Sequence, residues 1–273
     1  MTTHPKTILA GYGLEPKKSL GQNFLFDDNV LGRIVEAADL KPGDQVLEIG
    51  PGLGSLTRRL AETAGRVVAV ELDGRFLPAL QNELSGLDNV QIIQGDILDQ
   101  EPADLFSGPY KVVANVPYYI TGAILRHLLG SSHKPSTMVL TIQKEVAERL
   151  TAEPPNMSLL SVSVLYYGSV EQVTTIKAGA FWPRPDVDSA VIKIEVRSDA
   201  GRSEDEEQTF FRIVRAGFSQ KRKQLQKNLR QLGIDRTAVA TALEKAGIDG
   251  SRRAETLSLD EWLLLVKTIE PNI

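Results

Sequence analysis

Asn115-Val116-Pro117-Tyr118 stands at the end of a short apolar run, Lys111–Ala114. Its residue types suit one kind of chemistry, the alkylation of an amine on a purine ring. The lone pair of adenine's exocyclic amine is delocalised into the ring, which makes it a poor nucleophile. A site that uses it must accept hydrogen bonds from the amine while methyl transfer raises its charge. The side-chain oxygen of Asn115 and the backbone carbonyl of Val116 can accept them. Pro117 fixes the loop, and the Tyr118 ring offers a face on which a base can stack. The bland alternative is a turn with a buried tyrosine.

Three further features sit at the ends of strand-like segments. Glu48-Ile49-Gly50-Pro51-Gly52-Leu53-Gly54 follows one such segment and opens a helix. Its glycines let the backbone turn tightly and approach a ligand. The spacing is G-x-G-x-G, not the G-x-G-x-x-G of dinucleotide sites, and a purely structural turn remains open. Glu71 follows the loop by about 20 residues, the separation at which a carboxylate accepts hydrogen bonds from ribose hydroxyls. Asp96 can accept from an adenine amino group, or can merely cap the turn before Ile97-Leu98. Taken together they suit an adenosine-containing ligand with no phosphate requirement.

These residues need a scaffold that brings strand ends together. The segments Gln45–Ile49, Arg66–Val70, Val90–Gln94, Lys111–Ala114 and Thr137–Ile142 read as strands separated by helices. Helices are expected after a cap at Asp27 or Asp28, with Val30, Ile34 and Val35 on the apolar face, and over about Leu56–Thr63. That rhythm predicts right-handed crossovers and a mostly parallel sheet, with ligands outside its carboxyl edge. Leu159–Tyr167 and Ala190–Val196 read as later strands. Arg197–Gln208, with its acidic run Glu204–Glu207, reads as a linker. Beyond it only helices are expected: Thr209–Phe218, roughly Lys221–Leu232, Thr237–Ala246 and Leu259–Ile269. The expected organisation is an α/β domain over 1–200 and a small all-helical domain over 201–273.

Asn115–Tyr118 resembles the signature of amino-methyltransferases that act on nucleic-acid bases. Four other segments narrow the resemblance to the small-subunit ribosomal RNA adenine dimethyltransferase family. They are Lys17–Leu25 (KKSLGQNFL), Glu48–Thr57, Phe181–Ser189 (FWPRPDVDS) and Phe218–Leu225 (FSQKRKQL). The resemblance spans residues 17 to about 230. It implies a Rossmann-like class I methyltransferase sheet and S-adenosyl-L-methionine as cofactor. It matches Asn23, Leu25, Gly50, Glu71, Asp96 and Asn115 to cofactor-contacting positions, with Gly52 in the same loop. It matches Asn115 and Tyr118 to the target base and Phe181 to an aromatic on that base's other face. The implied substrate is two adjacent adenosines near the 3′ end of small-subunit rRNA in pre-30S particles, each dimethylated. Val116 stands where the family generally has Leu or Ile, and Lys221 where it usually has Arg, which keeps the charge but loses the bidentate fork.

Charge agrees with RNA only locally. The whole chain of 273 residues is formally −4, with 31 Lys and Arg against 35 Asp and Glu. From Arg215 to Arg230, however, there are six basic residues and no acid. On a helix Lys223, Lys227 and Arg230 would share a face. Lys221, Arg222, Lys223, Lys227 and Arg230, with Arg184 and with Lys17 and Lys18, are candidate phosphate contacts; a solvated helix face is the alternative. The chain has no cysteine, which excludes disulfides and thiolate metal sites. His4, His127 and His133 show no ligand spacing, so no metal is expected. No apolar run approaches the ~20 residues of a membrane span. A cytoplasmic monomer is expected. The rival functions are a methyltransferase of large-subunit RNA, a non-catalytic assembly factor on the same fold, and a small-molecule methyltransferase, the last disfavoured by Tyr118, Phe181 and the basic segment together.

Overall fold

A computed structural model describes residues 4–198 and 203–269. Among the described residues there are nine strands: β1 (Phe24–Leu25), β2 (Gln45–Ile49), β3 (Arg66–Glu71), β4 (Val90–Gln94), β5 (Tyr110–Asn115), β6 (Thr137–Gln143), β7 (Gly168–Ile176), β8 (Phe181–Trp182) and β9 (Ser189–Val196). Seven form one sheet in the order β4-β3-β2-β5-β6-β9-β7, while β1 and β8 pair separately. Strands β2 to β6 run parallel to one another, and β9 is antiparallel to β6. The chain builds outward from β2 to β3 and β4, then returns to lay β5 and β6 on β2's other side. The point of reversal lies between β2 and β5. A crevice must open there at the carboxyl ends, because the connections leave in opposite directions.

The middle of the sheet is covered on both faces, which explains its residue choice. Every residue of β2 and β3 after the first is buried, as is all of β6 except Gln143. Such strands read as unbroken apolar runs rather than alternations. The helix Asp28–Ala38 packs Leu31, Ile34 and Ala38 into this core. Asp27 caps it, its side chain accepting from the backbone N–H groups of Asn29 and Val30, so its start is fixed by a local hydrogen bond.

The chain divides into two compact units, Met1–Ala147 with Ser169–Arg197 and Glu148–Gly168 with Ser198–Ile273. The expected boundary at residue 200 is therefore only half of the division, because residues 148–168 belong to the second unit. Aromatic packing explains this. Tyr166 stacks on Phe210 with ring centroids 4.1 Å apart, and the Tyr167 hydroxyl donates to Glu207 at 2.6 Å.

Three expectations about elements need correction. Leu159–Tyr167 is a helix, not a strand. Its apolar residues surround the whole helix, so they leave no helical period to read. The start signal is Ser158, which exchanges hydrogen bonds with Ser161 in a capping box. Glu204–Glu207 is the first turn of the helix Glu204–Gly217, capped by Ser203 with Glu206, where acidic side chains complement the helix dipole. Of the expected linker, residues 199–202 lie outside the described residues. Finally, Lys221–Lys223 form a turn, and the helix after it is only Leu225–Leu229. Buried Asn228 holds that turn by donating to the carbonyls of Gly217 and Gln220. Lys221, Arg222, Lys223, Lys227 and Arg230 are all exposed, but they are not one helical face. Among the described residues no helix is long and apolar enough to cross a membrane.

Candidate active site

The cleft at the β2/β5 reversal gathers residues from the carboxyl ends of β2, β3, β4 and β5 and from the segment 20–25. Its space is about 1060 Å³, counting what is open to solvent. Asn23, Leu25, Gly50, Gly52, Glu71, Asp96, Asn115 and Tyr118 all line it. Of the expected catalytic and cofactor residues only Phe181 does not.

The glycine loop is built for close approach. Gly50 and Gly52 have φ of 66° and 58°, in the left-handed region that side chains disfavour. A Cβ on Gly52 would sit 2.9 Å from the Phe24 ring, whereas one on Gly50 would meet nothing. The Gly52 N–H donates to Glu71 Oε2 at 3.0 Å, and the Asp73 N–H donates to Oε1 at 2.8 Å. These two bonds fix the carboxylate's plane and leave a lone pair on each oxygen for vicinal hydroxyls. Burial raises the Glu71 pKa, opposed by those same N–H donors. Asp96 caps the next turn, its side chain accepting from the Leu98 N–H at 2.9 Å, and it also lines the cleft. Leu72 lines the cleft too and is 46% exposed. Sequence reasoning missed it, although an apolar residue directly after the ribose-binding acid is a usable signal for an adenine-packing surface.

Glu48 was also missed as a site residue. It is 2% exposed, and its Oε2 has no hydrogen-bond partner. Burial first, and the nearby Glu71 charge in addition, push its pKa up to about 8. A buried acceptor without a donor costs about 1–3 kcal/mol. An ammonium or hydroxyl donor in the cleft would relieve it.

Asn115 ends β5. Its Nδ2 donates to the backbone carbonyl of Asn23 at 3.0 Å, which fixes the amide and leaves Oδ1 as the acceptor. Asn23 is itself held by donating to the Gly21 carbonyl at 3.1 Å. The segment is then tied to the sheet by Gln22, which donates to Asp73 at 2.9 Å. Arg75 grips the same Asp73 and holds its pKa far below the carboxylate range. Tyr118 follows Pro117, and its hydroxyl meets that of Ser189.

Phe181 is placed elsewhere. It is 3% exposed, packed with Leu25, Leu31, Ile34 and Val139, and pairs with Leu25 in the β1–β8 ladder. Its ring packs among these apolar side chains and does not itself line the cleft. Arg184, three residues on, is exposed, as are Lys17 and Lys18.

S-Adenosylmethionine fits these residues. Glu48 Oε2 is an unpartnered acceptor for its amino group, Gly50 leaves space for close backbone approach, Glu71 suits its ribose, and Leu72 and Asp96 suit its adenine.

Residues 13–270 match the family described as ribosomal RNA adenine dimethylase. A ribosomal RNA small subunit methyltransferase A from Dehalococcoides mccartyi is 46% identical over 98% of this chain and 93% of its own length. The protein of that name from Moorella thermoacetica is 43% identical over 94% of each. Among solved structures, a dimethyladenosine transferase from Plasmodium falciparum is 25% identical, with a TM-score of 0.79 over 91% of this chain and 98% of that one. The 23S rRNA methyltransferase ErmE is 31% identical, with a TM-score of 0.75 over 91% of this chain and all of its own. A sheet of class I methyltransferase type, with a cleft at its reversal point, thus occurs in a chain that belongs to the ribosomal RNA adenine dimethylase family.

Proposed function

We propose that this chain transfers methyl groups from S-adenosylmethionine to the exocyclic amines of two adjacent adenosines near the 3′ end of small-subunit rRNA, in pre-30S particles, acting as a cytoplasmic monomer. The observation that carries the chemistry is the Asn115 amide, whose donor is engaged by the Asn23 carbonyl and whose oxygen is thereby presented to an amine. The small-subunit choice rests on the names of the relatives at 46% and 43% identity.

The cofactor, when bound, supplies a methyl group on a cationic sulfonium. Asn115 Oδ1 and the Val116 carbonyl accept the two protons of the target amine and hold its nitrogen in one orientation. Tyr118 stacks on the base after it leaves its own stack. Holding two reactants in register contributes up to about 7–11 kcal/mol. The nitrogen becomes cationic on transfer and strongly acidic, so its proton passes to solvent without a dedicated base. Lys221, Arg222, Lys223, Lys227, Arg230 and Arg184 are exposed cations suited to RNA phosphates.

Methyl transfer from labelled cofactor to undermethylated small subunits, with large subunits as control, tests this. The likeness to ErmE favours large-subunit RNA as the second reading, and labelling of large subunits alone would establish that one instead.

A further inference from the structure

We propose that Tyr119 is a stacking platform for the nucleotide next to the target, holding the strand at the rim of the cleft; this rests on the reading that the cleft takes a base of an RNA strand. Among the described residues Tyr119 is the most exposed large hydrophobic side chain, at 58%. A single exposed ring is ordinary on a protein surface, but three observations set this one apart.

Its place is the first. Tyr119 lines the same cleft as Asn115 and Tyr118, in the one-turn helix Tyr118–Ile120 that follows the base-holding residues. The base next to the target is tied to it by one phosphodiester, so it must lie at the rim of whatever pocket takes the target.

Its backing is the second. A Cβ built on Gly21 would lie 3.4 Å from Tyr119 Cδ1, 3.5 Å from Cε1 and 3.4 Å from Pro117 Cβ. The ring therefore rests beside the Gly21 backbone and a proline. One side is supported by two stiff neighbours while more than half of the residue stays in water. A ring so held loses little freedom when a base covers it.

The third is the chemistry of the surface around it. The acceptors in the cleft, Asn115, Asp96 and Glu71, belong to the amine and the cofactor. A neighbouring base then has to be held by a contact that does not read its identity, and an aromatic face serves this for any base.

Initial rates on undermethylated small subunits give the test, comparing wild type with Tyr119→Ala, Tyr119→Leu and Tyr119→Phe, alongside equilibrium cofactor binding and thermal stability of each variant. Loss of one stacked base predicts a KM raised roughly 5- to 150-fold for Tyr119→Ala and Tyr119→Leu. Tyr119→Phe, which keeps the ring, restores KM. Cofactor affinity stays put in all three, and kcat falls far less than KM rises. A Leu variant that matches wild type would overturn the proposal, because Leu retains packing on Gly21 without a π-face. So would a KM loss matched by an equal loss of cofactor affinity. Wild-type enzyme that labels neither subunit fails the functional reading itself, a separate outcome; labelling of large subunits moves the same comparison, with the same required pattern, to that RNA.

Discussion

The hydroxyl of Tyr118 lies 2.5 Å from the hydroxyl of Ser189, 71 positions further along the chain. Ser189 is wholly buried at the start of β9, opposite Gln143 at the end of β6. The FWPRPDVDS segment thus reaches the target loop through its last residue. Burial raises the Tyr118 pKa and the Ser189 contact opposes that rise, so the phenol stays a neutral, oriented partner. Ser189→Ala removes that partner. One hydrogen bond contributes about 0.5–1.5 kcal/mol net, so kcat/KM is expected to fall roughly 2- to 10-fold by the usual conversion. A double-mutant cycle with Tyr118→Phe checks the route. If Ser189→Ala costs as much in the Phe background as in wild type, the serine does not act through that hydroxyl.

Asn115→Ala deletes the oriented acceptor while sparing every basic side chain. Loss of one preorganised polar group at a reacting centre costs about 10²–10³ in kcat. Single-turnover methyl transfer should show that loss, and RNA binding measured in parallel should barely move. Asn115→Asp is the sharper probe: it keeps an acceptor but loses the donor to the Asn23 carbonyl, placing like partial charges together, and should be almost as slow. Equal loss of binding and turnover would remove Asn115 from the chemistry.

Glu48 predicts a pH dependence in the cofactor-free protein. Its folded pKa stands near 8 against an ordinary 4.5, so between those values the folded state binds the extra proton. Stability therefore falls as pH rises from about 5 to 8, with a slope of at most about 1.4 kcal/mol per pH unit for one proton. Glu48→Gln cannot ionise and should flatten that limb. Denaturant unfolding curves between pH 5 and 8 decide it; parallel slopes for the two proteins would place the orphaned carboxyl's proton elsewhere.

In the second unit the critical contact is Gly217 against Trp262. A Cβ at Gly217 would come within 2.3 Å of Trp262 Cη2, and Trp262 is fully buried. Gly217→Ala must push the indole or the helix aside, an overpacking that costs about 1–3 kcal/mol. Thermal denaturation should register it, and Gly217→Ala with Trp262→Phe should recover part of it. A wild-type melting temperature for the single variant would contradict the packing.

The basic turn makes a salt-dependent prediction. Replacing Lys221, Arg222 and Lys223 together by Gln should weaken RNA binding for all sequences alike. It should also lower the slope of log affinity on log salt by about 2, at roughly 0.7 for each phosphate of single-stranded RNA that is no longer neutralised. An unchanged slope would assign those cations to a solvated surface.

The sequence alone determined the parts of this protein whose signal is local. Strands β2, β3, β5 and β6 are covered on both faces, so they appear as unbroken apolar runs, and parallel crossovers then place Gly50, Glu71, Asp96 and Asn115 at one edge. The opposite case is β7, whose nine residues are mostly exposed or half-buried and carry no such run. Only tertiary structure decided what contacts across long separations do. Phe181, at the head of the FWPRPDVDS motif, pairs with Leu25, which lines the cleft. Asn115 reaches Asn23 across 92 positions, and Tyr118 reaches Ser189 across 71. Residue types determine which groups can accept, donate or stack. Which of them meet is set by strand order and packing, and those depend on the whole chain at once.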